Sequence, residues 1–310
     1  MASRYSIEPD GDTLHGHFSP DRAPILTVDP GDSVTFRTLD AWWSAAPYDG
    51  GPFPDRPRVP WHEPGYGHAL CGPVAVRGAR PGLTLAVRID TVIPGSWGTT
   101  VAGGWSSWVN EKYGITESGV VHAWQLDPVA MVGRNQHGHS VALRPFMGVL
   151  GMPPGEPGEH STIPPRSHGG NLDCKELVAG STLYLPIPVE GGLFSVGDGH
   201  AAQGDGEVSG TAIECPMDRV ELTFGVRDDF PVRGPVAHTP AGWLTMGLGS
   251  TVDDAVFMAL DGMFRLLGVL YGLSTEDAVA LSSVAVDVRV TQIVNQVLGA
   301  HAVLPPGAIR

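Results

Sequence analysis

Seven glycines fall between Gly191 and Gly210, and that density limits what this part of the chain can become. A residue with no side chain lets two backbones approach closely and enters turns closed to other residues. The segment therefore reads as a series of tight turns. Between the glycines stand Asp198, His200, Gln203, Asp205 and Glu207. The polar run begins upstream at His168-Gly169-Gly170-Asn171-Leu172-Asp173 and ends at Glu214. Carboxylates and imidazole are the ligands that Zn2+ and Ca2+ take from proteins. The whole stretch reads as a site held in turns, with a metal ion.

The rest of the chain supplies a β framework for it. Glycine and proline total 70 of 310 residues and charged residues are 17%, a balance that suits strands and turns better than helices. Ile25 to Val28, the turn Asp29-Pro30-Gly31, and Ser33 to Thr38 read as strand, turn, strand. Related units follow at Arg80-Pro81-Gly82 with Leu83 to Ile89, and at Ala179-Gly180 with Ser181 to Val189. Further strands are expected at Leu193 to Val196 and Val220 to Val226. The pattern breaks between Ala41 and His68, where Trp42, Trp43, Tyr48, Phe53, Trp61 and Tyr66 punctuate a long loop. Such a loop serves as a satellite core, a wall of a cleft or a subunit contact. A second irregular stretch holds Trp97, Trp105 and Trp108, and a third, from Pro145 to Arg166, reads as a long surface loop leading to His168.

Helix arrives late. Apolar residues at Val256, Leu260, Phe264 and Leu267 keep helical spacing over Ser250 to Tyr271, behind Asp253 and Asp254 in the first turn. Ser274-Thr275-Glu276-Asp277 resembles a capping box and starts a second helix, Thr275 to Ser282. Val284, Val286, Val288 and Val290 then alternate as a strand. The expected fold is mainly β, a sandwich or barrel-like framework with a C-terminal α+β portion. Residues 1–242 form the β-rich core with the glycine-rich site, and 243–310 the helix pair and returning strand, packed on that same core.

A net charge of −14 disfavours nucleic acid, whose binding depends on clustered lysine and arginine. Met1 to Asp12 lacks the basic and apolar regions of a secretory signal, and no apolar run reaches the length of a membrane span, so neither export nor a membrane partner is expected. Cys71, Cys174 and Cys215 are sparse, odd in number and widely spaced, which fits a reducing compartment and a cytoplasmic location. The aromatic loops and the size of the β framework point to a homo-oligomer.

The segments HGGNLDCKEL, GSTLYLPIPVEGGLFSVGDGHAAQGDGE and GTAIECPM resemble the acetamidase/formamidase family. The likeness extends to PILTVDPGDSVTFRTLDA, CGPVAVRGARPG and LSTEDAVALSS, so it covers most of the chain. It implies hydrolysis of a short aliphatic amide to carboxylate and ammonia, with a divalent metal, Zn2+ first and Ca2+ as the alternative. Asp198 and His200, two residues apart, share a face if their segment is extended. On pattern alone a turn aspartate such as Asp173 caps its own backbone, and a lone histidine is a hydrogen-bonded residue. The resemblance makes Asp173, Asp198 and His200 the expected metal ligands.

Glu207 and Glu214 are the candidates for catalytic proton transfer. Asn171, Gln203, His168 and Asp40, the last in the TLDA motif, are the candidates for substrate binding. His15, His17, His137 and His139 are second-tier candidates. A Cys174 nucleophile with Lys175 and Glu176 is disfavoured, because three adjacent residues cannot all converge on one carbonyl. The family's Pro-rich segment before its GP-V strand is replaced here by His68-Ala69-Leu70-Cys71. This departure and the aromatic region lie where substrate access is set. A bulkier amide on the same scaffold, or a noncatalytic β-domain oligomer holding a structural ion, are the alternative readings.

Overall fold

The alternating run Ser33–Thr38 forms a strand, with Val34 and Phe36 buried and Arg37 exposed. It follows Gly31, whose φ of 97° is open at little cost only to glycine. Gly82 (φ 92°) and Gly180 (φ 90°) introduce Thr84–Pro94 and Thr182–Pro186 in the same way. In the computed structural model, which describes residues 2–310, all three of these strands lie in one nine-stranded sheet. Its order is Arg4–Ile7, Ser33–Thr38, Met217–Arg227, Thr84–Pro94, Thr182–Pro186, Val236–Thr239, Gly242–Gly249, Leu298–Leu304, Asp287–Gln292. The expected repetition of turn and strand thus lies within one sheet, with Thr84–Pro94 paired to Thr182–Pro186 and Met217–Arg227 inserted between Ser33–Thr38 and Thr84–Pro94.

A second sheet runs in the order Gly169–Asn171, Phe146–Gly151, Phe194–His200, Leu70–Val76, Leu14–His15, with Leu26–Val28 also pairing to Leu70–Val76. The two sheets share a core. Val34, Phe36, Val87, Ile89, Leu222 and Phe224 of the first pack with Val74, Leu150, Phe194 and Val196 of the second. The Phe194 and Phe224 rings meet edge to face, with centroids 5.4 Å apart. Truncating such a ring loses its transfer energy and leaves a cavity. Phe194→Ala is expected to cost about 3–5 kcal/mol of stability, measured as a lowered urea midpoint.

Two stretches expected to be irregular are strands. Phe146–Gly151, inside the expected Pro145–Arg166 loop, is buried at every residue and paired on both edges. A strand covered on both faces has no polar alternation to betray it. Likewise Trp97–Gly103 pairs with Gly119–Asp127 in a four-stranded sheet completed by Val132–Asn135 and Ser140–Ala142. Its glycines suggest breaks, but a Cβ at Gly98 would lie 2.8 Å from the Glu214 carbonyl oxygen. That glycine marks a close backbone approach. Helix α1, Trp108–Tyr113, caps the excursion. Ala41 to His68 is irregular as expected, apart from a short 3-10 turn at Phe53–Asp55. Trp43 in it belongs to the main core: it is buried, donates to the Gly67 carbonyl at 2.8 Å and packs on Tyr66.

Helix α2 spans Val252–Tyr271, capped by Thr251, whose hydroxyl accepts from Asp254 N at 3.1 Å. Helix α3 spans Thr275–Ala285, capped by Ser274, which accepts from Asp277 N at 3.1 Å. It runs longer than expected and absorbs Val284, so the returning strand starts only at Asp287. The buried face of α2 (Ala259, Met263, Leu266, Leu267) packs with Ala302 and Leu304 of the large sheet in a second core. Residues 243–310 therefore extend the sheet of residues 1–242, with the turn at Pro240-Ala241 linking two paired strands. No single helix among the described residues is long and apolar enough to cross a membrane.

Candidate active site

The register of two strands sets the site. Met147 pairs with Gly199 and Val149 with Gly197, which puts Gly148 directly across from Asp198. Asp198 has φ 58°, Asp173 φ 46° and Glu207 φ 46°. Each is a non-glycine residue in left-handed backbone, which stores on the order of 1 kcal/mol and is tolerated where the surroundings impose it. The carbonyl of Gly148 accepts from Leu172 N at 2.9 Å and from Asp173 N at 3.2 Å, so it holds the Asp173 turn as well. Glu214 enters from the other side, bridged by backbone to Thr99 and to His200.

These residues converge. His200 Nε2 lies 3.2 Å from Asp198 Oδ1 and 3.1 Å from Glu214 Oε2. The ligand atoms of Asp173, Asp198 and His200 all lie within 4.8 Å of one another, and so do those of His200, Glu207 and Glu214. Gln203 Oε1 accepts from His200 Nδ1 at 2.9 Å, and Gln203 Nε2 donates to the Asp173 carbonyl at 2.8 Å. A ring that gives its Nδ1 proton to Gln203 turns the lone pair of Nε2 toward the carboxylates. The Phe146 ring meets the imidazole edge to face at 5.1 Å.

All five residues are buried, the most accessible being Glu207 at 6%. Among the described residues no lysine or arginine pairs with the four carboxylates. Two ionised carboxylates about 4 Å apart repel by about 4 kcal/mol at an effective dielectric constant of about 20. Burial accordingly pushes Asp173, Glu207 and Glu214 up from ordinary carboxyl values, Glu214 to about 8. Burial opposes the charge of His200 too, but Glu214 and Asp198 raise the imidazole well above its usual value. Burial also works against the charge of Asp198, yet the charge of His200 holds that carboxyl down.

The pocket is built for positive charge. Asp173 Oδ1, His200 Nε2, Glu207 Oε2 and Glu214 Oε2 are buried without a hydrogen-bond partner. Three carboxylate oxygens and an imidazole nitrogen crowded together in this way would be costly unless a proton or a cation satisfied them. Gly148 keeps their meeting point open. A Cβ there would lie 2.6 Å from Asp173 Oδ1 and 2.9 Å from His200 Cε1, and would also strike Asp198 Oδ2. The residues present fit a divalent metal.

Other candidates stand elsewhere. His168 bonds the Met152 carbonyl through Nδ1 at 2.8 Å, and Asn171 donates to the Ile163 carbonyl at 3.1 Å, so both tie down the approach to Asp173. Asp40 accepts from Ser44 N at 2.8 Å and is buried in its own turn. His15 is buried between Ser195 Oγ (2.9 Å) and the His17 carbonyl (2.7 Å). His137 and His139 stand on the surface beside His122 and Asn135. Cys174 is free and buried, its thiol pushed up to about 12 by burial, and so is a poor nucleophile. Glu176 pairs with Arg144 and with Arg289 (2.6 Å), and Lys175 with Asp205 (3.0 Å), bracing the segments on either side of the site.

Two contributors escaped the sequence reading. Gly148 sits in the misread loop. Asn295, in the turn between Asp287–Gln292 and Leu298–Leu304, donates its side-chain amide to Asp173 Oδ2. The same hairpin holds the loop before Glu207: Gly206 N donates to Thr291 O at 3.0 Å, and Ile293 N to Gly206 O at 3.1 Å. No spacing in the sequence links Asn295 to Asp173.

A profile described as the Acetamidase/Formamidase family matches residues 3–157 and 156–307. The solved structure of an acetamidase from Bacillus halodurans superposes with a TM-score of 0.84 at 28% identity, covering 96% of each chain. A formamidase of Methylophilus methylotrophus is 26% identical over 252 residues, 65% of this chain and 61% of the relative. An acetamidase of Mycolicibacterium smegmatis is 38% identical over 106 residues, 30% of this chain and 26% of the relative. The match spans less than two thirds of either of these two relatives.

Proposed function

The chain belongs to the acetamidase/formamidase family, and on that premise we propose that it hydrolyses formamide- or acetamide-like substrates to carboxylate and ammonia by a metal-assisted attack of water. Family membership supports the reaction class. The single observation that supports the mechanism is the convergence of one imidazole and four buried carboxylates on a space that Gly148 leaves open.

Asp173, Asp198 and His200, through Nε2, would hold the ion. The mixed nitrogen and oxygen donors favour Zn2+ over Ca2+, which takes oxygen ligands alone. When bound, a divalent ion acts as a Lewis acid that acidifies water and polarises an amide carbonyl. Glu214 then serves as the proton carrier. Its Oε1 is held by Ala212 N at 2.8 Å, while Oε2 has no partner and faces His200 Nε2. It takes a proton from the attacking water and returns one to the departing nitrogen, so that ammonia leaves neutral. Glu207, whose carboxyl group clusters with His200 and Glu214, would add negative charge that helps retain the cation. Burial of every member suits a substrate of few atoms. Asn171, His168 and Asp40 act in this scheme by positioning the segments around the cleft. Three free buried thiols support a reducing location, the cytoplasm.

The deciding assay is ammonia release from formamide, acetamide and a graded panel of bulkier amides, with elemental analysis of the same preparation. Loss of activity on chelation, restored by Zn2+, is expected. Full activity in metal-free protein would end the mechanism, and turnover of the bulky members alone would move the substrate class. Gln203→Leu removes the group that fixes the His200 ring. A 10- to 100-fold weaker metal affinity is expected, read by competition with a chromophoric chelator.

A further inference from the structure

Asn295 stands in the turn between Asp287–Gln292 and Leu298–Leu304, and that turn is held from both sides. Within it, the buried Gln292 accepts at Oε1 from Val294 N (2.9 Å) and Asn295 N (3.1 Å), and its Nε2 donates to Val297 O at 2.7 Å. From outside, Trp108 Nε1 donates to Ile293 O at 3.3 Å, and Ile293 N donates to Gly206 O at 3.1 Å. A side chain carried by a turn so tied has a set direction. Its amide reaches Asp173 Oδ2. An ionised carboxylate only accepts, so the end of the amide facing it is Nδ2, and Oδ1 points elsewhere. Asn295 is only 7% exposed, yet Oδ1 has no hydrogen-bond partner among the described residues. Nor is that oxygen sealed from solvent as Asp173 Oδ1 and Glu207 Oε2 are.

We propose that Asn295 is a specificity-determining residue: its Oδ1 accepts an N–H of the substrate's amide nitrogen, while its Nδ2 holds Asp173 by Oδ2. This rests on the hydrolysis proposed above and adds to it the group that recognises nitrogen. Nδ2 and Oδ1 share one carbon, so the free acceptor also stands beside Asp173. The carboxylates and His200 offer charge and lone pairs that suit an ion. Oδ1 is a neutral carbonyl oxygen, and its natural partner is an N–H or O–H donor.

The chemistry of the substrate supplies that donor. Formamide and acetamide each present two N–H groups, one bond away from the carbon that water attacks. An ester of the same acid presents an oxygen with lone pairs in that place. A buried acceptor facing a lone pair keeps its desolvation cost and gains no bond. For this reason a site built to bond an N–H discriminates strongly against an analogue that lacks it. The nitrogen that receives the proton from Glu214 still carries N–H groups, so the contact lasts until ammonia departs.

The test compares acetamide with methyl acetate at saturating Zn2+, read as kcat/KM, or as competitive inhibition where turnover is too slow. Asn295→Leu removes both polar groups with little change of shape. Its kcat/KM for acetamide should fall at least about tenfold further than that for methyl acetate. Asn295→Asp keeps an acceptor and loses the donor, so the ratio of amide to ester should stay within about twofold of wild type. Independently of turnover, competition with a chromophoric chelator should show metal affinity about 10- to 100-fold weaker in Asn295→Leu, because Asp173 loses its brace. Circular dichroism checks the fold, and Asn295→Ala takes the place of the leucine variant if that one does not fold. Equal losses on amide and ester would reduce Asn295 to a brace for Asp173 and overturn the proposal. So would a collapsed ratio in Asn295→Asp. A wild type that turns over no amide fails the reaction itself, and this inference falls with it.

Discussion

Gly148→Ala is expected to empty the metal site and to lower kcat/KM for small amides by at least about 10³, the scale of losing Lewis-acid assistance. The change adds one methyl group, placed among Asp173 Oδ1, Asp198 Oδ2 and the His200 ring. Backbone strain does not confuse the result, because Gly148 lies in a regular strand and has no positive φ. Alanine can adopt that conformation, so the chain should still fold. Metal content by elemental analysis separates this from unfolding: the variant should match chelated wild type in its thermal transition and in its lack of metal. A variant that keeps a full complement of metal, or one that turns over amide at the wild-type rate, would show that the ion does not sit in the space Gly148 leaves open.

The frame of the molecule was legible where the sequence alternates. Ser33–Thr38 is found at the residues expected, because Val34 and Phe36 are buried and Arg37 faces solvent. The start of α3 was legible too, since Ser274 caps it locally, and so was the acidic first turn of α2 at Asp253 and Asp254. Phe146–Gly151 was not, because it is covered on both faces and reads as an apolar patch between prolines. The site shows the same division. The glycine-rich run did carry Asp198, His200, Gln203 and Glu207 into one place. Their convergence does not come from simple alternation along a strand, however, since Asp198 is turned by a left-handed backbone that no residue type announces. Asn295 was invisible for a different reason. Its contact with Asp173 closes a loop of more than a hundred residues, and contacts of that kind are set by topology.

Replacing Glu214 by Gln should separate binding from chemistry. The two side chains have the same shape, and a glutamine oxygen can keep the hydrogen bond from Ala212 N. What is lost is the capacity to accept a proton at the atom facing His200 Nε2. General acid-base assistance contributes about 10² to 10⁴ in rate, so kcat should fall by that factor. KM should change little and metal content should stay at the wild-type level, because Asp173, Asp198 and His200 are untouched. Glu207→Gln is the necessary companion. Glu207 also meets His200 within the second cluster, but its loop is fastened to the C-terminal hairpin through Gly206, which suits a fixed charge better than a group that must exchange protons. Its substitution should weaken metal retention more than it lowers kcat of the loaded enzyme. If Glu207→Gln instead keeps its metal and loses kcat while Glu214→Gln remains active, the two glutamates exchange roles, and the oxygen tethered through Ala212 serves only to hold the Glu214 side chain in place.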